Sequence, residues 1–275
     1  MDLTHRGVVA QAADEVQHAE NVPEAADDDA TWTAQEFYRE LFGWEFHTES
    51  DDEGWIYRGN DIVGGCHLGG DGSGWRVYLK VNDLRAKIRR IMGTDPWRNI
   101  TLHNSQENPT AVIEVHDSID LWEGDGGFVW DEGHGTPAWI DLYSWNHRSS
   151  KAFYATRFRW RWVEEYEPEI TMGGPPFYHA TERAGITEEV GCIPTPSWTM
   201  PGWSLHIRVD DMEKALELVP RLGGETLYGP YRAPAGMLAG IVDPAGNQLG
   251  LISGDRVDPW EIWGGPPRII PLEEF

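Results

Sequence analysis

The sequence contains only two cysteines, Cys66 and Cys192, among its 275 residues. Two thiols are too few for a disulfide scaffold or a structural zinc site, so we expect both to be small buried thiols. The sequence also lacks any apolar run of the roughly 18–20 residues that a membrane span needs. The first residues contain no apolar core of signal-peptide length. We therefore expect a soluble, cytoplasmic protein.

Basic residues are scarce, because 22 lysines and arginines face 46 aspartates and glutamates, for a net charge of −24. Such a field repels phosphate backbones and anionic lipids, so we expect neither a nucleic-acid partner nor a membrane-surface role. Hydrophobic residues make up 40% of the chain and 15 residues are tryptophan, which is enough to build a core. These properties favour a globular protein, and we expect either a monomer or a homodimer.

Three landmarks of the first half recur in the same order in the second half. The first is a run of aromatic residues with five aromatic positions in common, the second is a Gly-Cys pair, and the third begins with Gly-Trp. The matching segments are 37–46 with 153–162, 65–66 with 191–192, and 74–84 with 202–212. This order indicates a tandem duplication with one insertion in the second copy.

Each half divides again into two units with the order βαβββ. The first unit of the second half has a predicted helix at 149–158 and predicted strands at 138–143, 161–165, 177–182 and 187–193. The second unit has a helix at 211–222, ended by Gly223-Gly224, and strands at 203–209, 225–228, 236–242 and 248–252. Asp243-Pro244-Ala245-Gly246 predicts a tight turn between the last two strands. In the first half, residues 8–12 are the candidate first strand, followed by an acidic insertion.

This pattern resembles the vicinal oxygen chelate superfamily, which includes glyoxalase I, bleomycin-binding resistance proteins and extradiol dioxygenases. The residues that carry the resemblance are 135–142 leading to 152–154, then 203–211, and the turn at 243–246. The resemblance covers about residues 33–253. Within the superfamily, the pattern most resembles the two-domain glyoxalase-like proteins of actinobacteria. The resemblance implies an α+β fold with four βαβββ modules in two tandem pairs, each pair forming a curved sheet that encloses a ligand cleft.

The implied domain organisation has two glyoxalase-like domains and two connecting or terminal segments. The N-terminal domain would span 1–123, with an irregular acidic segment at its start, and the C-terminal domain would span 136–253. Residues 124–135 form a glycine-rich acidic linker, and the proline- and tryptophan-rich residues 254–275 form a C-terminal arm.

Metal-using members of this superfamily take ligands from the first strand of each module and a glutamate from the last strand. In the second half, these positions fall on Trp139, Ser204 and Gly250, and none of the three is a good ligand. In the first half, Arg76 occupies the position equivalent to Ser204, and Asp120 falls near the acid position. We therefore expect no metal and no other cofactor.

One further pair in the first half, Glu114 and His116, resembles a partial metal site. Two residues at this spacing are common by chance, so we do not expect them to bind a metal.

Strand alternation predicts which side chains of the second half face its cleft. Leu205, Ile207 and Val209 should pack under the helix, which leaves Ser204, His206 and Arg208 on the cleft side. By the same alternation, Trp139, Asp141 and Tyr143 face the cleft from the neighbouring first strand.

We predict that His206 is the acid/base of this cleft, since an imidazole near a carboxylate can move a proton at neutral pH. Asp141 would orient it and raise its pKa, while Tyr143 or Arg208 would stabilise a developing oxyanion. Trp139, Ser204 and Arg208 would bind substrate. The alternative is that His206 only fills the interior, with a hydrogen bond to Asp141.

The first cleft offers Arg76, Tyr78, Lys80 and Asp120, with Cys66 nearby. Arg76, Tyr78 and Asp120 are candidate substrate-binding residues, and the two cations would suit an anionic or carbonyl-rich ligand. The alternative is an internal ion pair between Arg76 and Asp120.

The function favoured by these residues is metal-independent proton transfer on an aromatic or polycyclic metabolite, such as an intermediate of natural-product biosynthesis. The protein would then be an isomerase, a cyclase or a lyase. A first alternative is a non-catalytic, resistance-type protein that binds a drug or metabolite, and the sequence does not separate it from an enzyme. A second alternative is a metal-dependent glyoxalase or dioxygenase, which needs ligands that the sequence does not supply.

Overall fold

The chain folds as a mixed α+β protein with extended sheets and few helices, as seen in a computed structural model. The structure describes residues 8–14, 33–48, 53–68, 74–92, 99–103, 110–114, 119–123, 133–166, 178–183, 186–188, 190–194, 201–233, 235–255 and 268–269. Within these ranges, no helix combines the length and the apolar character that crossing a bilayer requires.

The described residues of the first half form one sheet of eight strands and two helices. Its elements in chain order are β1 (Val8–Asp14), α1 (Ala34–Phe42), β2 (Glu45–Thr48), β3 (Glu53–Arg58), β4 (Asp61–Leu68), β5 (Arg76–Lys80), α2 (Leu84–Met92), β6 (Asn99–His103), β7 (Thr110–Glu114) and β8 (Ile119–Trp122). The spatial order is β2-β3-β4-β1-β5-β8-β7-β6, with β1 antiparallel to β5 at the centre. The predicted strand at residues 8–12 is thus confirmed as β1.

The described residues of the second half form a six-stranded sheet and a four-stranded sheet. Its elements are β9 (Pro137–Ser144), α3 (His147–Phe158), β10 (Arg161–Tyr166), β11 (Tyr178–Arg183), β12 (Ile186–Glu188), β13 (Val190–Pro194), β14 (Gly202–Arg208), α4 (Met212–Leu218), β15 (Glu225–Ala233), β16 (Gly236–Val242), β17 (Gln248–Ser253) and β18 (Arg268–Ile269). The larger sheet has the order β13-β9-β14-β17-β16-β15, and the smaller one β12-β11-β10-β18.

Some predicted elements differ from the observed ones. The strand predicted at 187–193 is divided between β12 and β13, which lie in different sheets. The helix predicted at 211–222 is α-helical only to Leu218 and ends as a 3-10 turn, Val219–Leu222. Pro220 has no backbone N–H, so an α-helical hydrogen bond cannot continue through it. Most of the predicted linker, residues 124–132, lies outside the described residues, as does most of the C-terminal arm.

The two halves build the same aromatic cluster at equivalent positions. In the first half, the Tyr38 and Trp75 rings meet edge to face with centroids 5.3 Å apart. In the second half, Tyr154 and Trp203 meet in the same way at 5.5 Å. The aromatic landmarks of the sequence repeat therefore make the same contact in both halves.

One apolar core is shared by the two halves. It contains residues of α1 and β5 together with residues of β9, β14 and β17. Polar contacts reinforce this junction, since Tyr38 donates a hydrogen bond from its hydroxyl to Asp243 Oδ2 at 2.7 Å and Trp44 donates one from Nε1 to the Gly135 carbonyl. The core fixes the inner face of β9 and β14, so the opposite face of these strands is available for the polar residues of a site.

Candidate active site in the second half

The inner strands β9 and β14 place their side chains on the two faces that alternation predicts. Ile140, Leu142, Leu205 and Ile207 belong to the large shared core. Trp139 and Tyr143 belong instead to a smaller cluster on the other face, with Ala138, Ala233, Ala235, Leu238 and Ile252. In the β9–β14 ladder, Asp141 lies opposite Ser204 and His206 lies opposite Trp139. The second face therefore carries the acid, the imidazole and the indole that the sequence predicted there.

A single row of residues crosses five strands of this sheet. From β9 to β15 its members are Trp139, His206, Gly250, Gly240 and Tyr228. The His206 ring lies directly against Gly250 and the Tyr228 ring directly against Gly240, so a Cβ at either glycine would overlap the neighbouring ring. The two glycines thus form a floor on which both rings lie.

His206 and Asp141 form a pair that is closed off from solvent. The His206 Nε2 atom lies 3.6 Å from Asp141 Oδ2, and the two side chains are 0% and 1% exposed. This distance is too long for a direct hydrogen bond. Within the described part of the chain, neither ring nitrogen of His206 has a hydrogen-bond partner. Asp141 accepts a hydrogen bond from Trp139 Nε1 at 2.8 Å.

Burial sets the protonation of both members of this pair. Loss of hydration raises the pKa of Asp141 to about 7, and it outweighs the lowering effect of the hydrogen bond from Trp139 Nε1. Loss of hydration also lowers the pKa of His206 to about 4, and a contact with the Trp139 backbone opposes this shift. The prediction that Asp141 would raise the pKa of His206 is therefore wrong, because desolvation by burial is the largest influence on the imidazole and lowers its pKa. Between about pH 4 and pH 7, the pair consists of a carboxylic acid and a neutral imidazole.

Two tyrosines meet above this pair. The hydroxyl oxygens of Tyr143 on β9 and Tyr228 on β15 are 3.5 Å apart. Three strands separate β9 from β15, so in a flat sheet their backbones would be about 19 Å apart. The contact therefore requires a strongly curved sheet whose concave face holds Asp141 and His206. Burial raises the pKa of both phenols above the ordinary tyrosine value, so both remain protonated donors.

Two other residues, Ser204 and Arg208, were predicted for this cleft. Ser204 is half-buried beside Asp141 in the ladder, and Arg208 donates from Nη1 to the Gly254 carbonyl at 2.9 Å. Tyr228 was missed by sequence reasoning, because alternation within β15 does not show that its side chain crosses to β9. The glycines at 240 and 250 were a usable signal, since two of them on adjacent strands leave room for large side chains.

In the first half, the structure shows the ion pair that was the alternative prediction. Arg76 donates from Nε and Nη2 to the two carboxyl oxygens of Asp120, at 2.8 and 2.9 Å. Tyr78 packs with Trp122, and the Lys80 ammonium lies 5.0 Å from the centre of the Trp122 ring. The side chain of Glu114 and the whole of His116 lie outside the described residues.

The positions that the resemblance implies as metal ligands in the second half do not suit a divalent ion. An indole, a hydroxyl and a glycine occupy them, and the space that a side chain at Gly250 would need is filled by the His206 ring. Among the residues that the structure describes, no three His, Cys, Asp or Glu side chains come together. In the first half, Arg76 brings a positive charge to the equivalent of the Ser204 position.

Gly250→Ala is expected to destabilise the fold by about 1–3 kcal/mol, because the new methyl group and the His206 ring cannot share one space. Denaturant unfolding of Gly250→Ala, His206→Ala and the double variant measures this. If the collision is with the ring, Gly250→Ala should cost much less in the His206→Ala background. Equal costs in both backgrounds would place the collision elsewhere.

Comparisons with known proteins agree with this architecture. No family model matches the chain. A 125-residue segment, 44% of this chain, is 29% identical to CFP32 of Mycobacterium tuberculosis, a protein provisionally named as a glyoxylase. The chain spans about half the length of this relative, since the match covers 47% of it. The same identity and coverage hold for CFP32 of Mycobacterium bovis.

Solved structures match over nearly the whole chain. The 2,3-dioxygenase LapB from Pseudomonas sp. KL28 superposes with a TM-score of 0.61 at 12% identity, covering 99% of each chain. The Mn(II)-bound glyoxalase from Novosphingobium aromaticivorans superposes with a TM-score of 0.57 at 15% identity, covering 91% of this chain and 82% of that one. Superposition at such low sequence identity shows a common fold, and it does not show a common activity. The chain therefore has the fold of this glyoxalase and this dioxygenase.

Proposed function

We propose that the protein catalyses proton transfer on an uncharged aromatic or polycyclic small molecule in its second cleft, without a metal ion. The observation that carries this proposal is the enclosed pair of Asp141 and His206, whose polar atoms lie 3.6 Å apart on the concave face. A fully buried imidazole with no hydrogen-bond partner among the described residues is costly for stability, and a catalytic role is a reason to keep it.

The protonation states of the pair suit enolisation. Neutral His206 takes the proton from a carbon beside a substrate carbonyl, and the carboxylic acid of Asp141 gives its proton to the carbonyl oxygen. Tyr143 donates a hydrogen bond to that oxygen as charge develops. When the substrate carries a C=C bond β,γ to the carbonyl, the resulting dienol returns its hydroxyl proton to Asp141 while imidazolium delivers the other proton to the γ carbon, and the double bond moves into conjugation. The product is an isomer, both residues are restored, and no oxidant or cofactor is consumed. Cyclisation or elimination can begin from the same enol.

The surroundings of the pair favour an uncharged ring system as substrate. Trp139, Tyr143 and Tyr228 face the pair, and none of these side chains carries a charge at neutral pH. The guanidinium of Arg208 is held by the Gly254 carbonyl. An anionic substrate would lose its hydration here without gaining a cation, whereas aromatic rings stack well on indole and phenol.

The value of kcat/KM should depend on pH as a bell with limbs near 4 and 7. Activity needs neutral His206, which is lost below a pKa of about 4, and protonated Asp141, which is lost above a pKa of about 7. The two limbs belong to the pair as a unit. A rate that climbs continuously through pH 7 would contradict the acid role of Asp141.

Purified protein should carry no stoichiometric Zn, Ni, Mn or Fe, and a chelator should change neither its stability nor its turnover. Trp139, Ser204 and Gly250 at the ligand positions are the reason. Elemental analysis after dialysis checks this. About one ion per chain would overturn metal independence and support the alternative of a metal-dependent glyoxalase or dioxygenase.

Carbon–hydrogen exchange tests the proposed chemistry directly, because it detects removal of a carbon-bound proton whatever product forms. Chelator-treated protein is incubated with a panel of uncharged aromatic ketones, including 2-tetralone, in deuterium oxide, and mass spectrometry follows deuterium uptake at carbon. We expect exchange above the buffer rate with wild-type protein and none above it with His206→Gln. A panel member that binds but does not exchange would contradict the enzymatic proposal.

A non-catalytic binding protein is the second candidate function. The observation that favours it is the complete closure of the cleft, in which Asp141, His206 and Tyr143 are all buried. The exchange experiment, set beside the affinity measured for the same ketones, separates the two candidates, since a binding protein would show affinity without exchange.

We also propose that the chain consists of four βαβββ modules in two domains, 1–123 and 136–253, joined by a linker at 124–135 and followed by an arm at 254–275. The repeated aromatic cluster supports this proposal.

A further inference from the structure

We infer that Tyr228 is the gate of the second cleft, and that a ligand reaches His206 and Asp141 only when the Tyr228 ring moves away from Tyr143. This inference concerns the proposed site and deepens it, but it does not depend on the chemistry that happens there. Any ligand, whether converted or only bound, must pass the same barrier.

The contact between the two tyrosines joins opposite sides of the cleft. Their hydroxyl oxygens are 3.5 Å apart although three strands separate β9 from β15 in the sheet. Beneath this contact, Asp141, His206 and Trp139 are all buried. Tyr228 itself is only half-buried, unlike these three residues. A substrate molecule cannot touch His206 in this arrangement.

Tyr228 lies on a part of the sheet that is held by few neighbouring strands and is irregularly paired. Its strand, β15, is at the edge of the six-stranded sheet and pairs only with β16 among the described strands. The β15–β16 register shifts on both sides of Tyr228, between Thr226 and Tyr228 and again before Tyr231. The ring lies on Gly240, which has no side chain to hold it from below. Moving this one ring requires less rearrangement than moving Tyr143, whose strand is paired on both sides.

The gate also restricts which molecules enter. A molecule that parts the two phenols lies between Tyr143 and Tyr228 with the Tyr231 ring nearby, since the Tyr228 and Tyr231 ring centroids are 5.8 Å apart. Two phenol hydroxyls then become available to one oxygen of the ligand. The passage therefore selects planar molecules that carry a hydrogen-bond acceptor.

Acylation of His206 by diethyl pyrocarbonate, located by peptide mass spectrometry, tests the gate without any substrate. The reagent attacks neutral imidazole, so at about pH 6 slow reaction of His206 reports restricted access rather than protonation. In wild-type protein, His206 should react about 10- to 1,000-fold more slowly than His47, because it reacts only through a minor open state. The His47 side chain is 59% exposed and serves as the internal reference.

Removal of the ring should abolish this protection. Tyr228→Ala is expected to accelerate acylation of His206 at least about tenfold, while Tyr228→Phe, which keeps the ring, should stay within about twofold of wild type. Tyr57→Ala, a matched tyrosine loss in the first half, should change nothing at His206. Tyr228→Leu keeps apolar contact with Gly240 but cannot reach Tyr143. It is used in place of Tyr228→Ala if the alanine variant shows no cooperative unfolding transition.

Protection that persists in folded Tyr228→Ala or Tyr228→Leu protein would overturn the gate, as would rapid acylation in the phenylalanine variant. Failure of the gate is distinguishable from failure of the proposed function. The acylation experiment involves no turnover, whereas the deuterium exchange experiment measures only turnover.

Discussion

Asp141→Asn is expected to stabilise the protein by about 4 kcal/mol at about pH 9, although it removes a proposed catalytic residue. The folded protein raises the pKa of this carboxyl from 3.8 to about 7 because burial disfavours the charged form. Above pH 7, wild-type protein therefore keeps an ionised carboxylate buried, while the unfolded chain hydrates it. Asparagine has nearly the same shape and still accepts the Trp139 Nε1 hydrogen bond without charge.

The pH dependence gives the sign of this effect. The folded state holds the Asp141 proton more tightly than the unfolded state, so wild-type stability falls as pH rises from about 4 through about 7. The gain from Asp141→Asn should be absent near pH 4, grow over this window and then level off. Denaturant unfolding at several pH values measures it.

Asp120→Asn is the matched control, because this carboxylate accepts two hydrogen bonds from Arg76. It should lose about 1–3 kcal/mol at neutral pH, a figure that allows for the 35% exposure of the Arg76 side chain. Destabilisation by Asp141→Asn at about pH 9 would mean that Asp141 is held as a stabilised anion, contrary to its burial.

His206→Ala is expected to lower turnover by roughly 10²–10⁴-fold at saturating substrate, since it removes the base that takes the carbon-bound proton. The ring fills the space above Gly250, so alanine also leaves a void and is expected to lower stability. His206→Gln separates the two effects, because it keeps polar bulk but cannot accept the proton in the reaction. Turnover close to wild type in folded His206→Gln protein would reduce His206 to a packing residue.

Most of the fold could be predicted from the sequence, because aromatic and glycine landmarks repeat with their spacing largely preserved. Residues 8–12 could be named as the candidate first strand even with a long acidic segment after them, since the βαβββ order leaves a place for a strand before the first helix. The division of residues 187–193 into β12 and β13 could not be predicted, because a continuous run of β-forming residues does not show that its ends belong to different sheets. Pro220, in contrast, was a visible reason for α4 to end early.

The candidate site was predictable in its members and not in its energetics. Alternation places Trp139, Asp141, Tyr143 and His206 on one face, and adjacent first strands bring them together. Sequence reasoning treated the Asp141 carboxylate as the dominant influence on His206, whereas full burial of both groups reverses the expected pKa shift. The role of Tyr228 depends on sheet curvature, which is a property of the whole sheet and is not encoded in any one strand.

The neutrality of the Asp141–His206 pair is tested most directly by nitrogen NMR of the imidazole, with the His206 signals assigned by their loss in His206→Gln. At about pH 6, we predict the two unequal nitrogen shifts of a neutral ring that becomes protonated only near pH 4, together with a carboxyl carbon of Asp141 that titrates near pH 7. An imidazolium spectrum at pH 6, with Asp141 ionised beside it, would show an ion pair and contradict the proposed acid and base roles.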